Sequence, residues 1–88
     1  MKKAQSFLRV SAYSRQGLIE ILEYSGFPND EAVYGADNSG ADWFEQAAKK
    51  AESFLKISAY SRSGLIEIIE YSGFTREQAV YGVEAVGY

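Results

Sequence analysis

Four glutamates have the spacing to do chemistry in pairs. Glu20 and Glu23 stand three apart, and Glu67 and Glu70 repeat that spacing 47 residues further on. Residues three apart on a helix are surface neighbours. Two carboxylates held together can divide acid and base roles when burial or mutual repulsion raises one pKa. A second acidic set recurs at the same interval, with Asp30 and Asp37 returning as Glu77 and Glu84. The rest of the composition turns this pattern away from catalysis. The chain has no histidine and no cysteine, which removes the commonest general base, the thiolate nucleophile and the commonest metal ligands. Exposed glutamates three apart commonly do no more than solvate a helix. The better reading is an acidic face that steers a basic protein segment by charge. No enzyme activity, cofactor or metal is expected.

Tyrosines recur with the carboxylates. Tyr13, Tyr24 and Tyr34 return as Tyr60, Tyr71 and Tyr81. Such rings are most simply half-buried, with the hydroxyl reaching water. Tyrosine is also enriched at protein interfaces, and Tyr24 and Tyr71 fall off the leucine stripe of their helices. The expected partner-binding set is therefore Glu20, Glu23, Tyr24, Asp37, Glu67, Glu70, Tyr71 and Glu84.

Arg15, Arg62 and Arg76 raise the question of DNA. A recognition helix needs basic and amide side chains along one face. The candidate segments instead mix Asn29 and Asn38 with Asp30, Glu31 and Asp37, or Arg76 and Gln78 with Glu77 and Glu84. Net charge is −3 with a pI near 4.9, where phosphate binding calls for a concentrated positive face. No nucleic-acid partner is expected, and a DNA-binding helix-turn-helix protein is the alternative reading. Gly17 and Gly64 lie outside any phosphate-loop pattern. Their recurrence near helix starts predicts close packing of one helix on another.

These residues sit on a duplicated scaffold. Ser-Ala-Tyr-Ser-Arg-x-Gly-Leu-Ile-Glu-Ile-x-Glu-Tyr-Ser-Gly-Phe runs from Ser11 to Phe27 and again from Ser58 to Phe74. About two-thirds of the paired positions are identical when the chain is laid on itself. Apolar residues recur at intervals of three and four, as on helices. Helices are expected over 3 to about 12, Arg15 to about Ser25, Pro28 to near Asn38, Trp43 to about Ser58, Arg62 to Ser72, and from Thr75 onward. Ser14, Asp42, Ser61 and Thr75 are the expected N-caps, with Glu45 and Gln78 completing capping boxes. Gly26 and Gly73 suit left-handed positions after helix ends. Asn38-Ser39-Gly40 is the linker by composition. The fold class is all-α: two tandem three-helix repeats of helix-turn-helix type, residues 1–40 and 41–88, with the first helix a shortened form of the fourth. Trp43 and Phe44, near the junction, predict that the two repeats pack together. Hydrophobic residues make up 47% of the chain, enough core material to exclude disorder. No apolar run reaches membrane-spanning length, and Lys2-Lys3 is followed by no signal-like apolar segment.

The motifs themselves resemble a known family. Ala-x-Ser-Phe-Leu occurs at Ala4–Leu8 and Ala51–Leu55. Tyr-Ser-Arg-x-Gly-Leu-Ile-Glu occurs at Tyr13–Glu20 and Tyr60–Glu67. Gly-Phe-Thr-x-Glu-Gln-Ala-x-Tyr-Gly-Val occurs at Gly73–Val83, with Ala41-Asp42-Trp43 opening the second repeat and Gly87-Tyr88 closing it. Together these are similar to the Ltp family of host-cell-surface-exposed lipoproteins from Gram-positive bacteria and their temperate phages. The resemblance implies tandem helix-turn-helix repeats held outside the membrane by a lipidated N-terminus. It also implies superinfection exclusion: the domain engages a phage tape-measure protein and blocks passage of phage DNA. No enzyme activity or cofactor is implied. The family's signal segment and lipidated cysteine are not among these residues. Relatives in bacteria share the repeat, so a surface or cell-wall adhesion module is a further alternative.

Overall fold

The structure is a computed structural model that describes residues 2–88. Six helices follow one another: α1 (Lys2–Val10), α2 (Arg15–Tyr24), α3 (Asn29–Asp37), α4 (Trp43–Ile57), α5 (Arg62–Tyr71) and α6 (Arg76–Ala85). Among the described residues there is no strand, so the all-α reading holds.

Helix starts are fixed by short polar side chains. Ser14 and Ser61 accept from the amides of Gly17 and Gly64, at 2.9 and 3.0 Å. Thr75 and Gln78 form a full reciprocal box, with the Thr75 hydroxyl accepting from Gln78 N and Gln78 Oε1 accepting from Thr75 N. Asp42 accepts from Phe44 N and Glu45 N, but the Glu45 half of the expected box is not formed. Glu45 instead points along α4 toward Lys49, 3.9 Å away. Pro28 stands one position earlier than expected. Its ψ of 157° places it before α3 rather than in its first turn. α1 also stops at Val10, short of residue 12. Tyr13 N–H leaves the helical ladder and donates to Gln46 Oε1 at 3.2 Å, so the chain is already extended when it reaches Ser14.

Each repeat has its own core. Ala4, Leu18, Leu22, Ala32 and Ala36 fill the first. Their 47-residue counterparts Ala51, Leu65, Ile69, Ala79 and Val83 fill the second, joined by Ala47, Ile66 and Phe74. The second is larger because α4 has 15 residues where α1 has 9. The added turns of α4 lie along α6, where a Cβ on Gly82 would come within 2.7 Å of Ala47 backbone atoms. Helix-on-helix contact at glycine is therefore real, but it occurs at Gly82 and not at Gly17 or Gly64. A Cβ on either of those meets first the hydroxyl of its own capping serine, at 3.0 Å. Their recurrence reflects the cap, not an opposing helix. Gly26 and Gly73 take φ of 106° and 103°, the left-handed conformation that glycine adopts at least cost.

The repeats stand in series, giving a body 38 × 21 × 20 Å. Trp43, from the start of α4, packs against the first core. Gln46 is buried where it receives the Tyr13 amide. The Ser14 hydroxyl, besides capping α2, donates to Ser72 O at 2.9 Å. The repeats pack on each other as expected, but of the two residues that suggested it only Trp43 reaches the first core; Phe44 meets Tyr81 of its own repeat.

Candidate interaction surface

The amphipathic pattern of α2 and α5 turns leucine and isoleucine inward and leaves the glutamates and the last tyrosine outside. Tyr24 and Tyr71 end their helices 89% and 92% exposed. Glu20 and Glu67 lie four residues earlier, beside those rings on the helix surface. Glu20 is exposed and accepts a 3.5 Å contact from Gln16. Glu23 accepts from Asn29 at 3.0 Å. Glu67 is exposed and forms no ion pair with another described residue. Glu70 is half-buried, 3.1 Å from Arg76. The two outer faces thus carry the same ring-and-carboxylate motif.

Asp37 and Glu84 are placed differently. Each sits in the last turns of the third helix of its repeat and meets the arginine that opens the second. Arg15 holds Asp37 with two hydrogen bonds, 2.6 and 3.0 Å. Arg62 meets Glu84 at 3.3 Å. The Arg15 hydrogen bond draws the Asp37 carboxyl below its ordinary range. The same bond raises the Arg15 guanidinium further above its own. These pairs close the open end of each helix pair. The signal for them was in the sequence: an arginine and an acid recur 22 residues apart in both repeats. Arg15, Arg62 and Arg76 are all engaged with carboxylates.

The tyrosines divide three ways. Tyr13 and Tyr60 are half-buried and meet Phe7 and Phe54 edge-to-face, with centroids 6.1 and 6.0 Å apart. Tyr34 and Tyr81 are exposed rather than half-buried. Tyr81 lies against Phe44 at 5.5 Å. Val10 and Ile57, at matching helix ends, are also exposed, a feature that helical periodicity does not distinguish from core. An open groove of about 300 Å³ lies beside the junction, lined by Gln5, Arg9, Ser39, Asp42, Gln46 and Lys49 among others. Among the described residues no three acidic side chains converge as a metal site requires. Among the described residues no helix is long and apolar enough to cross a membrane.

Residues 42–86, just over half of the chain, match the family of host cell surface-exposed lipoproteins called Ltp. The chain belongs to the Ltp lipoprotein family. The matched span takes in all of α4, α5 and α6, so one complete three-helix repeat, with its capping residues, carries the family pattern. In this Ltp chain the first repeat presents the same surface motif from α2. No curated protein and no solved structure gives a match.

Proposed function

We propose that the two repeats form a non-enzymatic protein-binding module of a surface lipoprotein, tethered outside the cell through a lipidated N-terminus. The partner is a basic protein segment. Following the family resemblance, that segment belongs to the tape-measure protein of an incoming phage, and its capture blocks DNA passage. One observation carries the reading: Tyr24 and Tyr71 are almost fully exposed beside Glu20 and Glu67 at equivalent places. Exposed rings offer contact area at low conformational cost, and the carboxylates speed encounter with a cationic chain. Glu23 and Glu70 extend this acidic ground. Asp37 and Glu84 contribute through the Arg15 and Arg62 pairs that hold the helices in register. The pairing of Arg15, Arg62 and Arg76 with acids occupies the three arginines that raised the question of a phosphate backbone.

Titration of the chain with a basic tape-measure peptide at several salt concentrations tests the proposal. Affinity should fall as salt rises. Replacing Glu20, Glu23, Glu67 and Glu70 together by glutamine should weaken binding about tenfold, roughly 1.4 kcal/mol. Replacing Tyr24 and Tyr71 by alanine should weaken it at every salt concentration. Binding indifferent to both salt and the glutamines removes the charge argument. A mobility shift with duplex DNA at low salt, where non-specific binding is strongest, would favour nucleic-acid recognition. Retention on cell-wall fragments would favour adhesion.

A further inference from the structure

The contact between the repeats has two sides, and each repeat carries a version of both. In the first repeat the side made by Ser14 and Gln16 is occupied. Ser14 is 2% exposed and donates to Ser72 O. At Gly73 a Cβ would lie 2.5 Å from Ser14 Oγ and 3.4 Å from Gln16 Cβ. The counterparts of Ser14 and Gln16 are Ser61 and Ser63; Ser61 is exposed where Ser14 is buried, while Ser63 is exposed as Gln16 is. The counterparts of Ser72 and Gly73 are Ser25 and Gly26, also exposed. A Cβ on Gly26 would meet nothing within 4 Å among the described residues. Local geometry at the two sites agrees closely. Ser61 keeps the conformation of Ser14, with φ/ψ of −71°/163° against −74°/164°. Gly26 keeps the φ of Gly73.

We infer that the Ser61–Ser63 surface of one chain docks the Ser25–Gly26 turn of a second copy, head to tail. Ser61 Oγ would donate to Ser25 O as Ser14 Oγ donates to Ser72 O. The occupant is fixed by continuity with the contact inside the chain, which shows what this surface receives. The two sides differ from each other, so the association does not close on itself as a two-fold dimer does and can extend. It is also weak. Trp43 and Gln46 strengthen the internal contact, and residues 1–88 supply no equivalents of them to the intermolecular one. The linker's effective concentration is lost as well. A dissociation constant on the order of 1 mM is expected.

Amide chemical shifts of the 88-residue chain, followed from about 0.1 to about 2 mM, test this. Movement is expected at Ser61, Ser63 and Gly64 and at Ser25 and Gly26, with Ser14 and Gly73 still. Sedimentation over the same range should give a mean mass that rises past the dimer. Gly26→Ala adds a Cβ that meets nothing within 4 Å among the described residues of the single chain but would run into Ser61 Oγ of the second copy, as a Cβ on Gly73 runs into Ser14 Oγ. It should abolish both effects, and because φ at Gly26 is 106° its folding is checked separately by circular dichroism. Shifts that stay fixed to the highest concentration overturn the inference. So does a mass that levels off at the dimer, or association unaffected by a folded Gly26→Ala chain.

Discussion

Gly82 and Asp37 show how much single residues settle here. Helix propensity alone predicts that Gly82→Ala stabilises α6 by about 1 kcal/mol. The new methyl group would lie 2.7 Å from Ala47 C and O, and backbone cannot rotate aside as a side chain can. Overpacking should win, so Gly82→Ala lowers stability by about 1–3 kcal/mol in urea unfolding. A gain would mean that α4 and α6 separate without cost. Asp37 acts through charge. Its carboxyl is drawn below the ordinary range by Arg15, so the native state favours the ionised form. The resulting stabilisation is present above the unfolded-state value, near pH 4. It is lost as pH falls through the lower native value. Both side chains are nearly half exposed, which limits the pair to about 1 kcal/mol or less. Asp37→Asn should therefore cost that much at pH 7 and progressively less as pH falls below about 4, a trend that urea midpoints across that range would reveal.

At the scale of the element, the serine caps form a natural pair of controls. Ser14 and Ser61 cap identical helix starts at 2.9 and 3.0 Å, yet only Ser14 also spends its proton across the junction. Ser61→Ala should cost about 1 kcal/mol, the usual worth of an N-cap. Ser14→Ala should cost about 1–2 kcal/mol more, because it also leaves Ser72 O without its partner in a partly buried contact. Equal losses in chemical unfolding would show that the junction hydrogen bond contributes nothing. The helices themselves are short, and α1 in particular has 9 residues. Isolated helices of this length are marginal, so tertiary packing must supply most of their stability.

Across the whole molecule, cooperativity rests on α4. Its first turn gives Trp43 to the first core, and its middle gives Ala47 and Ala51 to the second. Trp43→Ala should remove about 2 kcal/mol, below the 3–5 typical of buried tryptophan because the ring is only half-buried. It should also split unfolding into two transitions, visible when probes in the two repeats are followed separately. A loss under 1 kcal/mol with a single transition would place the coupling elsewhere.

The chain's own order of residues settled the duplication, the helix count and most of the caps, because apolar spacing and capping chemistry are local and both repeats state them independently. It also placed Tyr24 and Tyr71 outside, since they fall off the stripe that Leu18, Leu22, Leu65 and Ile69 define. What required the tertiary structure was everything set by which surfaces meet. Gly17 and Gly64 look like packing glycines until α4 is seen against Gly82. Asp37 and Glu84 look like free acids until α3 and α6 bring them to Arg15 and Arg62. Ser14 and Ser61 are the same residue in the same local sequence, yet one is sealed into the junction and the other faces water. Local sequence cannot distinguish them, because burial is a property of the neighbours that the completed fold brings within reach.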